Sequence, residues 1–282
     1  MATPIILGVI LNLILLLPKS LAHIYSDNDL LEFSLNLEYV GAEFFLHGSL
    51  GYGLDRVAPQ LTKGGPPPIG ATKVNFDILI TDFTMQMGLQ GVDHIRAIKN
   101  FVEGFQRPLL DLSSSVFAGF INSALGRELK PAFDPYNNTL NFLIASYAIA
   151  HIGPTAYLAA GLLGVSASQD AVIRTLLYDR REMRVEPYNI TVAEFTQGIS
   201  ELWNRLGRGG LKDEGLIVPI ALGAEGRVSG NVLSADQNSL LYGRTPLEVV
   251  RIVYGTGNET MFGGFFPRGA NGRIAKSCLL VS

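Results

Sequence analysis

The stretch Asp29-Leu-Leu-Glu32-Phe-Ser-Leu35-Asn-Leu-Glu38-Tyr-Val-Gly41-Ala-Glu-Phe-Phe45-Leu-His-Gly48 decides the fold. Leu30, Phe33, Leu37, Val40 and Phe44 recur at helical spacing, and Leu31, Leu35, Ala42 and Phe45 form a second stripe beside them. A helix apolar over so wide an arc is a buried one. Asp29 and Glu32 have the spacing of a capping box, in which a side-chain oxygen takes a free backbone N–H and the residue three on reaches back. The reading is a buried helix from about Asp29 to Gly48.

Further helical patterns follow. Gly64-Gly-Pro-Pro-Pro68 breaks the chain, because proline removes N–H donors and glycine disfavours helix. A long helical stretch from Val74 to about Phe105 then ends at Arg107-Pro108, and a short helix is expected over Ser114 to Leu125. Thr139 to Ile152 is apolar nearly all round and stops at Gly153-Pro154, and Thr155 to about Met183 is helical again. In the last third, Thr191-Val-Ala-Glu194 and Thr245-Pro-Leu-Glu248 are capping boxes, the latter with proline at the favoured first position. Gly-rich stretches separate them. Four long helical patterns without alternating strand patterns define an all-α chain.

A chain of 282 residues buries a substantial core without metal or disulfide help. The net charge of -3 and the lack of any basic run give nucleic-acid binding no electrostatic footprint. The apolar run Ile5 to Leu17 is shorter than the roughly 20 residues a helix needs to span a bilayer. Ser20-Leu-Ala22 follows it with small residues where a signal peptidase prefers them. Residues 1–22 therefore read as a secretory signal, with an uncleaved anchor as the alternative. The sequons at Asn137, Asn189 and Asn258 fit secretion to an extracellular or cell-wall location as a glycoprotein. The lone Cys278 permits no intrachain disulfide; an unpaired thiol is expected, with a disulfide-linked dimer as the alternative. No nucleophile elbow, phosphate loop, dinucleotide fingerprint or zinc spacing is present.

Several ordered motifs carry a family resemblance: Leu35-Asn-Leu-Glu38-Tyr-Val-Gly41-Ala-Glu-Phe-Phe45, His94-Ile-Arg-Ala-Ile98, Phe133-Asp-Pro-Tyr136 and Gln169-Asp-Ala-Val-Ile-Arg174. Val192-Ala-Glu-Phe-Thr196, Lys212-Asp-Glu-Gly215, Arg244-Thr-Pro246 and Ile252-Val-Tyr-Gly-Thr-Gly257 continue it. Together they resemble the plant desiccation-related proteins with a ferritin-like domain. The resemblance implies a ferritin-like four-helix bundle over 23–185 and a C-terminal extension of short helices and Gly-rich ordered loops over 186–282. It also implies more chain between Ala160 and Gly161 than this sequence has, a shortening of more than one helical turn.

Di-metal carboxylate bundles use a glutamate on each of two helices and a Glu-x-x-His pair on each of the other two. The resemblance implies glutamates at Gly41, Gly91 and Ser166, with positions 91 and 166 three residues before His94 and Gln169. Glycine inside a helix costs about 1 kcal/mol relative to alanine. Gly41 and Gly91 thus read as relaxed constraint at a lost site, or as repacking after the loss. The residual ligands are Glu38, His94 and Gln169, although Glu38 with His94 also reads as a buried hydrogen-bonded pair, or Glu38 as bonded to Tyr147. Glu43 and His47, four apart, read as a solvated helix pair.

The resemblance implies a protective, stress-response role in a secreted non-catalytic protein, with no catalytic residue and no cofactor expected. A di-iron or manganese oxidoreductase using the residual ligands is the alternative. A second alternative is a module binding cell-wall polysaccharide or a membrane surface. Homo-oligomerisation is compatible with all three.

Overall fold

The computed structural model of the protein describes residues 25–150, 160–236 and 239–280. The signal segment over residues 1–22, His151 and the Gly153-Pro154 stop lie outside them. The described helices are α1 (Asp27–Leu50), α2 (Leu54–Val57), α3 (Ile78–Phe101), α4 (Ser114–Leu125), α5 (Thr139–Ala150), α6 (Ala160–Asp179), α7 (Val192–Gly207), α8 (Pro246–Val253) and α9 (Arg273–Ser277). A minimal antiparallel hairpin pairs β1 (Arg184–Val185) with β2 (Ile190–Thr191) between α6 and α7.

Local chemistry sets most helix boundaries. Helix α1 starts earlier than the Asp29 reading places it: Ser26 is the N-cap, and Asp29, three residues on, accepts from the Ser26 amide at 2.9 Å. Asp29 is therefore the returning acid of the box and Glu32 takes no part in it; Glu32 instead accepts from the Arg273 amide. Helix α3 is shorter than expected. It begins after Asp77, whose side chain accepts from the Ile80 amide, and ends at Phe101. Helix α4 and the capping boxes of α7 and α8 stand where their residues place them.

Helices α1, α3, α5 and α6 form the bundle, with α1 packed along α3 and α5 along α6. The first pair is antiparallel: Glu38, Ala42 and Leu46 of α1 meet His94, Gly91 and Gly88 of α3 in reverse order. The backbones approach closely at these glycines. A Cβ at position 88 would stand 2.9 Å from the Leu46 backbone nitrogen, and one at 91 would stand 3.0 Å from the Ala42 Cβ. Both glycines thus admit the neighbouring helix.

Helix α5 is buried from Asn141 to Ile149, as its all-round apolar pattern predicts. Its Phe142 ring stacks on Phe44 of α1 with centroids 4.4 Å apart, seated against Gly48, where any Cβ would collide with the ring. Edge and tilted contacts continue from Phe44 to Phe117, then Phe265, Phe120 and Trp203. This aromatic chain joins the bundle to the C-terminal third. Such pairs add about 0.5–1.5 kcal/mol each beyond the area they bury.

Glu43 and His47 meet, 3.6 Å apart, as their spacing suggests, but the pair is buried at its carboxylate end and not solvated. Glu43 is fully buried and takes a hydrogen bond from Arg107, which is equally buried. Arg107 also binds Asp55 at 2.9 Å and the carbonyls of Gly65 and Pro66, so one guanidinium holds the Gly-Pro loop onto α1. Burial pushes the Glu43 carboxyl above its usual range against the pull of Arg107. Arg107→Ala leaves Glu43 buried beside no cation, and breaking a buried pair in this way costs about 3–5 kcal/mol. Denaturant unfolding of Arg107→Ala is expected to show a loss of that size.

Candidate functional site

The three positions where the resemblance places glutamates differ in their surroundings. Gly41 and Ser166 line one cavity of about 250 Å³, bounded by α1, the end of α5, α6 and the segment after α7. A Cβ at Gly41 would have no atom within 4 Å, so this position opens into space. A Cβ at Gly91 would stand 3.2 Å from the Ala42 Cα, a tight contact with no such open space. The cavity adjoins the last described residues of α5, Ile149 and Ala150. Helices α1 and α3 have 24 residues each and α5 has 12, so at about 1.5 Å per residue the described part of α5 covers half their length.

Among the residual ligand candidates, Glu38 and His94 meet. The His94 Nδ1 lies 3.1 Å from a Glu38 carboxylate oxygen, bridging α1 and α3, with both side chains largely out of solvent. Burial opposes the imidazolium, but the hydrogen bond and charge of Glu38, with the charge of Asp93, outweigh it and raise the pKa. Gln169 lines the cavity beside Glu38, but its amide donates to the Gln90 side chain of α3 at 2.8 Å. Tyr147 is bonded to Ser200 and Arg174 instead of Glu38.

The donor set does not fit a di-metal centre. Positions 41 and 91 offer no side-chain oxygen, and Glu38 and His94 are engaged with each other. Among the described residues no group of three or more His, Cys, Asp or Glu is arranged to hold a metal ion. Iron or manganese held in such a bundle needs several hard oxygen donors together with imidazole.

Three of the quoted motifs converge on the far wall. Arg174 of α6 is fully buried and donates to the Tyr147 hydroxyl and to the carbonyls of Glu214, Gly215 and Val232. Arg244 lies 3.5 Å from Asp213, and Lys212 lies 2.8 Å from Glu248. Lys212, Ser234, Tyr242 and Arg244 thereby reach the cavity. Tyr242 hydrogen-bonds Glu214, and burial with that neighbouring carboxylate pushes its phenol up to about 12. The Lys212-Asp-Glu-Gly215 and Arg244-Thr-Pro246 motifs were visible in the sequence, but nothing local tied them to α6.

Asn137 and Asn189 are exposed, the latter at φ 56° in the hairpin turn. Asn258 is half-buried, and its side-chain oxygen accepts from the Thr260 amide and hydroxyl.

A ferritin-like domain model matches residues 26–179. The chain is 51% identical over 269 residues to the ferritin-like catalase Nec2 of Nesocodon mauritianus, an alignment that covers 90% of this chain and 86% of that one. It is 53% identical over 235 residues to the desiccation-related protein PCC13-62 of Craterostigma plantagineum, covering 78% and 75%. No solved structure matches. The fold is thus that of a ferritin-like helical bundle. The chain belongs to the desiccation-related ferritin-like family.

Gly41→Ala gains helix propensity in open space and is expected to stabilise by about 0.5–1 kcal/mol. Gly88→Ala has the same gain but must push α1 away, with an expected net loss of about 1–3 kcal/mol in urea melts. For the Glu38–His94 pair, the folded histidine pKa lies above its unfolded value near 6.5. Its contribution to stability is therefore full below about pH 6.5 and fades as pH rises through the folded pKa. Glu38→Gln is expected to lower the His94 pKa in NMR titration and to destabilise more at pH 5.5 than at pH 8.5.

Proposed function

We propose that this chain is a secreted protective protein that keeps the ferritin-like bundle without di-metal chemistry. The observation that carries the reading is at Gly91, which brings no carboxylate and where even a Cβ would stand 3.0 Å from the Ala42 Cβ of α1. The other two altered positions, Gly41 and Ser166, face a cavity and bring no acidic oxygen to it. The name of the Craterostigma relative supports the protective role. Exposed sequon asparagines at 137 and 189 support passage through the secretory route.

The Nesocodon relative is named a catalase, so peroxide disproportionation is the competing reading. That reaction needs a group that takes up and returns electrons, work that proteins leave to a metal or other cofactor. The described donor set supplies no such centre, which weighs against the competing reading.

The test is elemental analysis of mature protein loaded anaerobically with ferrous iron and with manganese, alongside oxygen evolution from hydrogen peroxide. No stoichiometric metal and no oxygen above the buffer rate are expected. An ion retained per chain together with peroxide-dependent oxygen release would replace this reading with the oxidoreductase one.

A further inference from the structure

Beyond that role, we propose that the cavity between α1, α6 and the C-terminal segment binds one small neutral polyhydroxylated ring, a monosaccharide or a cyclic polyol. Its volume of about 250 Å³ sits just below the roughly 300 Å³ at which small-molecule pockets begin. A cavity at the small end of that range suits a ligand of one ring rather than two.

The wall chemistry selects the ligand. Leu37, Phe45, Ile149 and Leu163 give an apolar side against which the face of a ring can lie. Four charged residues line it: Glu38, Lys212 and Arg244 have internal counter-ions in His94, Glu248 and Asp213 respectively, and Asp170 lies within the field of the buried Arg174 guanidinium. The wall therefore does not call for a charged ligand. A paired carboxylate keeps lone pairs and a paired ammonium keeps N–H donors. A hydroxyl group, which both donates and accepts, matches such a mixed wall.

Ser234 adds an independent sign. It is 7% exposed, its hydroxyl oxygen is sealed from solvent, and it has no hydrogen-bond partner among the described residues, yet it lines the cavity. Buried hydroxyls are nearly always satisfied; a change of rotamer would turn this one from its sealed position toward a ligand in the cavity. Gly41 leaves the opposite wall open.

The test is calorimetric and ligand-observed NMR titration of the natural protein with glucose and myo-inositol. Glucuronate and glucosamine serve as charged analogues, and cellobiose as the two-ring arm. We expect one-to-one binding of a neutral ring, weaker or absent binding of both charged analogues, and none of cellobiose. Ser234→Ala is expected to weaken binding about twofold to tenfold, the effect of one hydrogen bond. Gly41→Leu fills the cavity and is expected to abolish binding while melting cooperatively; should it fail to fold, Ser234→Ala decides. Failure of both neutral rings to bind would overturn the proposal, as would tighter binding of a charged analogue or of cellobiose. Undiminished binding by folded Gly41→Leu, or by Ser234→Ala, would also overturn it.

Discussion

The bundle depends on the close approach of α1 and α3. Gly88 and Gly91 bring the α3 backbone against Leu46 and Ala42, and along this seam Glu38 reaches His94. Each glycine costs about 1 kcal/mol of helix propensity, and the contact it permits must return more than that. Packed interiors tolerate added methyl groups poorly, so a side chain at 91 would press on Ala42 across the seam. Of the two readings the sequence leaves for Gly41 and Gly91, the close contact at 91 is what repacking after loss would give, whereas a Cβ at 41 would meet open space.

Two buried arginines organise the rest. Arg107 ties the Gly-Pro loop to α1 through Glu43, Asp55 and backbone carbonyls. Arg174 ties the segment after α7 to α6 through carbonyls of residues 214, 215 and 232. A guanidinium suits this task because its planar fork carries five donors and stays charged. Carbonyl groups in irregular segments need such partners, since they have no helix or sheet to satisfy them. The C-terminal third therefore packs as part of the molecule, and it supplies one wall of the cavity.

What the sequence discloses divides along the same line. The bundle helices, helix α4 and the caps at Thr191 and Thr245 were legible because each rests on residues within one or two turns. The misplaced start of α1 came from Asp29, which serves at the third helical position and was read as the cap. The meeting of Glu43 with His47 follows from their spacing, but the burial of Glu43 does not, because its guanidinium partner lies 64 residues away. Ser234, Tyr242 and the lysine and arginine at 212 and 244 gave no local signal of convergence. The cavity depends on how the Arg174 clamp places a loop against α6, and that is not written in a periodicity.

Thermal unfolding with and without metal tests the central claim most directly. A ligand that binds the folded state raises the midpoint with its concentration, by about 2.7 kcal/mol at a hundredfold excess over Kd. The packing described here predicts one cooperative transition whose midpoint is unchanged by ferrous iron, manganese or a chelator. A midpoint that rises with metal and falls on chelation would contradict it, and would mean that the bundle still holds an ion.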